Sequence, residues 1–142
     1  MFVKRIKKGL TLLLALCLLS STLMIPAAAI AEEREESNRF TGVNYLASGI
    51  DINSWGKASC EAGGWIRDGY TATLRICLYR VTDTGFELVT YWNLGTVSGN
   101  FMDGRAHYVV HGTYFSDAVL TVRDSNGNYV ETVSAATGDF VY

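Results

Sequence analysis

Beyond residue 42, apolar and polar positions alternate with period two, which is the signature of strands whose successive side chains point to opposite faces of a sheet. Val43, Tyr45 and Ala47 alternate, followed by Ile50 and Ile52, and then Ala58, Cys60 and Ala62. The clearest run sets Ala72, Leu74, Ile76 and Leu78 on one face and Thr73, Arg75, Cys77 and Tyr79 on the other. Asp83-Thr84-Gly85 supplies a turn, after which Phe86, Leu88, Thr90 and Trp92 share a face. This parity predicts that Trp92 fills the core together with Phe86 and Leu88. Tyr108, Val110 and Tyr114 read as one face of a further strand, with His107, Val109 and His111 on the other. The last hairpin joins Ala118-Leu120-Val122 to the Tyr129–Val133 segment through Ser125-Asn126-Gly127-Asn128. Asn-Gly predicts a type I′ turn there, because both residues tolerate positive φ.

No stretch in this region places apolar residues at i, i+3, i+4 and i+7, so no helix is expected in it. About eight short strands with turn signals every 8–12 residues predict an all-β domain. A single antiparallel β-sandwich of immunoglobulin-like kind is the preferred architecture, with a small barrel as the alternative.

The N-terminus has a different pattern. Lys4, Arg5, Lys7 and Lys8 precede an apolar run from Leu10 to Ile25, and Pro26 and three alanines follow. Basic, apolar and small-residue regions in that order make a secretory signal peptide, its helix cut short by proline so that an extended small-x-small segment enters the peptidase. Cleavage is expected after Ala31, with Ala29 as the competing site. An uncleaved membrane anchor fits poorly with Pro26 and the alanines, although the run nears the ~20 residues a span requires. Lipidation at Cys17 is disfavoured by Leu16, where a small side chain is required. The expected organisation is therefore a signal peptide at 1–31, a disordered acidic leader at 32–41 and a β-sandwich domain at 42–142.

Removing residues 1–31 takes four of the twelve Lys and Arg and none of the fourteen Asp and Glu, so net charge falls from −2 to −6. Lys57 is then the only lysine. An acidic chain without a basic patch is not expected to bind nucleic acid or, after cleavage, an anionic membrane. Cys60 and Cys77 are the two cysteines left, and an even pair in an exported chain predicts a disulfide rather than a metal site. One conflict accompanies that expectation. Cys77 shares a face with Thr73, Arg75 and Tyr79, so a bridge must lie on the polar face unless a bulge shifts the parity, with Gly63-Gly64 the expected place.

No catalytic grouping stands out. His107 and His111 would lie about 13 Å apart along a strand, too far to share one metal ion. No serine sits in Gly-x-Ser-x-Gly context, and the spacing of Asp51, Glu61, Asp68, Glu87 and Glu131 does not single out a carboxylate pair. Asp124–Asn128 resembles a calcium loop only in part, because its glycine comes two positions early and Ala135 stands where a bidentate Glu belongs. No cofactor is expected.

The aromatics are the remaining signal. Trp55 and Trp65 each adjoin glycine in turn-like segments and are the candidate binding residues, on the expectation that their rings are exposed to a sugar or a protein surface. The segments Leu74–Arg80, Phe86–Trp92 and Tyr108-Val109-Val110 resemble, in that order, a class of small secreted β-sandwich proteins of unknown function from Gram-positive bacteria. The resemblance implies a secreted sandwich and assigns no activity or site residue. Together these readings predict a secreted, non-catalytic module that binds an extracellular glycan or protein, of undetermined oligomeric state. A bacteriocin- or toxin-like effector is the alternative.

Overall fold

The computed structural model describes residues 39–142 of the chain. The expected signal peptide and residues 32–38 of the acidic leader lie outside the described residues. Eight strands follow one another without an intervening helix: β1 (Val43–Ile52), β2 (Lys57–Ile66), β3 (Tyr70–Thr82), β4 (Gly85–Val97), β5 (Asn100–Tyr108), β6 (Thr113–Asp124), β7 (Tyr129–Ala136) and β8 (Phe140–Val141). They form two antiparallel sheets, one ordered β1-β2-β5 and the other β4-β3-β6-β7, with β8 paired to the start of β6.

The alternation read from the sequence generates the core. Ala58, Cys60, Ala62 and Ile66 face inward from β2, and Ala72, Leu74, Ile76 and Leu78 from β3. Tyr114, Ser116, Ala118, Leu120 and Val122 do the same from β6, and Val43, Ile52 and Val133 complete the buried set. Two sheets whose apolar faces close on each other make a sandwich and not a barrel.

The strand order is immunoglobulin-like: the first, second and fifth strands form one sheet and the fourth, third, sixth and seventh the other. A tyrosine corner fixes the crossing between sheets. The segment 106–114, read from sequence as one strand, is instead the end of β5, a connection at 109–112 and the start of β6. Tyr114, almost fully buried, donates its hydroxyl to the Val110 carbonyl at 2.8 Å and ties that connection down. Gly112 exchanges two backbone bonds with Tyr142, and Val109 donates to the Gly56 carbonyl, so the connection also holds the C-terminus and the β1–β2 turn. Gly56 is required there: its φ is +76°, and an added Cβ would lie 2.5 Å from the Val109 carbonyl oxygen.

Several local expectations are corrected. The β6–β7 turn is not type I′, since Asn126 does not have positive φ and only Gly127 does, at 83°. The Asp124 carboxylate organises it instead, accepting from the Asn126 and Asn128 amides at 2.9 Å each. An aspartate that captures backbone donors selects its own loop geometry over the two-residue hairpin. The domain also begins slightly earlier than residue 42. Phe40 packs against the core, and the Thr41 and Gly42 amides donate to the two carboxylate oxygens of Glu131. Finally, the Gly63-Gly64 segment carries no bulge. Gly64 serves close packing, because a Cβ there would lie 2.7 Å from the Tyr45 carbonyl oxygen and 2.9 Å from the Phe101 ring.

The irregularities lie on edge strands. Asn44 is the extra residue in β1, Val89 and Leu94 in β4, and Val130 in β7. A bulge twists an edge away from flat pairing with a foreign strand. The pairing of β5 with β2 runs from end to end without one.

Candidate functional site: two exposed aromatic faces

The outer face of the larger sheet is built by the positions of β3 and β6 that oppose the core. β3 presents Thr73, Arg75, Cys77 and Tyr79, and their cross-strand partners on β6 are Thr121, Val119, Asp117 and Phe115. On β4 the sequence parity fails. Trp92, opposite Ile76, packs against the core as expected, whereas Phe86 and Leu88 are 65% and 50% exposed. The physical reason is the extra residue Val89, which reverses the side-chain alternation between Leu88 and Thr90. The same bulge delivers apolar rings to the outside.

Those rings are ordered against one another. Tyr79 stacks on Phe115 with centroids 5.0 Å apart, and Phe86 meets both edge-on at 5.3 and 5.4 Å. Further along, the Arg75 guanidinium lies 5.1 Å from the centre of the Tyr91 ring, and its Nε donates to Asn93 Oδ1 at 2.9 Å. Two contacts thus hold Arg75 in place while the rest of its fork faces a shallow groove. The groove has a volume of about 420 Å³ and is lined by Thr73, Arg75, Asn93, Gly95, Val119 and Thr121 among others. Aromatics and an oriented arginine, fixed before any ligand arrives, are the side-chain types that concentrate binding energy at interfaces.

Asp117 lies between the ring cluster and the groove, directly opposite Cys77. Its Oδ1 is buried and has no hydrogen-bond partner among the described residues, and burial raises its pKa above the ordinary carboxylate value. The folded state therefore holds this proton more tightly than the unfolded chain. The resulting stabilisation is complete below the unfolded pKa and is lost as pH rises through the folded value. Asp117→Asn is expected to raise stability at neutral pH by up to about 1 kcal/mol, with screening by nearby solvent keeping the gain small. The stability difference between variant and parent should vanish in acid, as read from urea unfolding at several pH values; a constant difference would refute the assignment.

The smaller sheet presents the second face. Its outward rows run Tyr45–Trp65–Asn100, Ala47–Gly63–Met102, Gly49–Glu61–Gly104 and Asp51–Ser59–Ala106, ending with Lys57–Tyr108. Trp65 is 45% exposed beside a slightly more open Tyr45, Met102 and Tyr108 are more open still, and Trp55 at the β1–β2 turn is 83% exposed. Both tryptophans singled out in the sequence are therefore accessible, but they do not come together. Trp65 lies at one end of β2 and Trp55 beyond the other, a strand length of roughly 30 Å at the usual rise per residue. The floor between the aromatic ends is glycine, alanine and serine, with Glu61 and Asp51 diagonal neighbours on it. Both carboxylates are exposed on open sheet, without the apolar enclosure that a general acid requires.

The expected Cys60–Cys77 disulfide is not formed, and both thiols are free. Cys60 points into the core from β2, while Cys77 points away from the core on the outer face of β3, so a sheet stands between them. The parity conflict seen in the sequence is real, and no bulge resolves it. Burial pushes both thiols above the ordinary cysteine value, with Ser116 and Tyr79 respectively opposing the shift by hydrogen bonding. Such thiols stay protonated at neutral pH and are poor nucleophiles. His107 and His111 do not converge either: His107 sits opposite Ala58 on β5, and His111 stacks on Tyr142 with centroids 4.4 Å apart. Among the described residues, no three His, Cys, Asp or Glu side chains gather to hold a metal ion.

Sequence reasoning missed the larger sheet's face because Phe86 and Leu88 share the parity of a core tryptophan; only the bulge at Val89 separates them. A scan against protein-family models and a search of curated proteins find no match to this chain.

Proposed function

We propose that this protein is an exported, non-catalytic binding module acting outside the cell, and that the outer face of the β4-β3-β6-β7 sheet receives a protein partner. The observation that carries this reading is the fixed set of Tyr79, Phe86, Phe115, Tyr91 and Arg75 beside a groove. Rings packed against one another lose little further side-chain entropy on binding, which is the main cost a flexible surface incurs. The protonated thiols and the open placement of Asp51 and Glu61 support a binding role over hydrolysis. A glycan is the second reading, favoured by Tyr45 and Trp65 side by side above a floor of small residues, where a sugar ring could lie flat.

Binding of purified protein to intact bacterial cells, before and after protease treatment of the cells, separates the two. The protein reading expects binding that protease abolishes and that Phe86→Ala or Tyr91→Ala weakens at least about tenfold, since anchor residues cost about 2 kcal/mol or more when truncated. Protease-resistant binding that Trp65→Ala abolishes would transfer the function to the smaller sheet. Binding to no cell or polysaccharide, combined with growth inhibition of neighbouring strains, would instead support the effector alternative.

A further inference from the structure

We infer that β5 is the contact strand for a second copy of this chain, the two β5 edges pairing antiparallel about a twofold axis at Gly104. Three observations meet on this strand. First, β5 closes one side of the smaller sheet and, among the described residues, pairs only with β2, so that its far edge is open there. The other three edge strands each have an extra residue that bends them, and β5 has none across its nine residues. Unprotected flat edges are templates for strand addition.

Second, Gly104 shows which backbone groups the edge offers. Its N–H donates to Asp103 Oδ1 at 2.8 Å and its carbonyl accepts from Arg105 Nη1 at 2.6 Å, so both groups turn away from β2. By alternation, residues 100, 102, 106 and 108 offer their backbone groups in the same direction. The two Gly104 groups at the centre of such a pairing are held, in the single copy, by two partly exposed side chains that also pair with each other at 2.7 Å. Exposed pairs of this kind contribute little and exchange readily.

Third, the strand is complementary to itself. Antiparallel pairing centred on Gly104 sets Asp103 of one copy opposite Arg105 of the other, twice, with Gly104 facing its own counterpart. Met102 falls opposite Ala106, Phe101 opposite His107 and Asn100 opposite Tyr108. Every other placement of the twofold on this strand loses both charge matches. Directly opposed unlike charges favour a register, and like charges oppose it. Asp103 and Arg105 then trade an internal ion pair for two equivalent ones, while the Gly104 backbone groups pair with each other. The contact is isologous and closes on itself as a dimer. It joins two three-stranded sheets into one of six strands, and the outward rows ending in Met102 and Tyr108 become continuous across the axis.

Sedimentation equilibrium of the purified protein from micromolar to millimolar concentration tests this inference, with circular dichroism confirming that each variant is folded. The parent is expected to shift towards twice the monomer mass. Asp103→Arg and Arg105→Asp should each weaken the dimer at least about tenfold, because each opposes like charges twice. The combined variant, Asp103→Arg with Arg105→Asp, should restore it. A parent that remains monomeric at millimolar concentration overturns the inference. So does a dimer indifferent to the single reversals, or one that the combined variant fails to recover. The outcome is independent of which ligand the outer faces bind.

Discussion

A Ser116→Cys variant is expected to bond to Cys60 on oxidation and to gain about 3 kcal/mol of stability. The position follows from the fold. In immunoglobulin-type sandwiches the residue two places after the corner tyrosine is the cysteine that bridges to the second strand. Here the corner is Tyr114, the residue two places on is Ser116, and Cys60 on β2 faces it across the core. Both are fully buried, and the Ser116 hydroxyl is within hydrogen-bonding reach of the Cys60 thiol. The chain thus places half of a core disulfide opposite a serine. Closing the loop from 60 to 116 contributes about 4 kcal/mol on the chain-entropy estimate. Against that stands the hydrogen bond from Ser48 Oγ to Ser116 Oγ, 3.3 Å long, whose loss costs about 1 kcal/mol. For a domain of this size, the net gain corresponds to a rise of roughly 10–25 °C in the unfolding midpoint. Thiol titration of the unfolded variant should find two fewer reactive groups after oxidation than before it, with Cys77 still reactive. A midpoint unchanged between oxidised and reduced protein would refute the placement.

Replacing Tyr114 by phenylalanine is expected to cost about 1–3 kcal/mol, because the ring stays while the Val110 carbonyl loses its donor. The effect should exceed that of an ordinary buried hydrogen bond. The 109–112 connection that Tyr114 anchors also holds the C-terminal Tyr142 through Gly112 and the β1–β2 turn through Gly56. Urea unfolding measures the loss, and amide exchange locates it: the Val109, Gly112 and Tyr142 amides should exchange faster than in the parent. Tyr108→Phe, on an exposed ring four residues before Gly112, is the control and should change stability by less than about 0.5 kcal/mol. Equal effects from the two substitutions would show that the corner does not organise the crossing.

Stability and binding meet in the larger sheet. Its inner face fills the core, and its outer face carries an ordered ring cluster and an unpartnered Asp117 oxygen. A buried acceptor without a donor is costly to keep.

The all-β class, the strand count and most of the core were legible in the sequence, because period-two alternation in residues such as Leu74, Ile76 and Leu78 depends only on local geometry. Cys77's orientation away from the core was legible for the same reason, and the structure kept that parity rather than the disulfide that cysteine counting suggested. The glycine-flanked settings of Trp55 and Trp65 marked them as candidate exposed rings, and the tertiary structure decided that both are accessible. What only the tertiary structure decided was where the alternation breaks. The extra residues Val89, Leu94, Asn44 and Val130 arise where an edge strand fits its twisted neighbour, and no pattern in the strand itself announces them. One such break moved Phe86 and Leu88 from the expected core to the surface and created the candidate binding face. The pairing of strands distant in sequence also set Cys60 opposite Ser116 and left β5 as an open, unbulged edge. Side-chain direction is a property of the strand; the partner across the core or along the edge is a property of the fold.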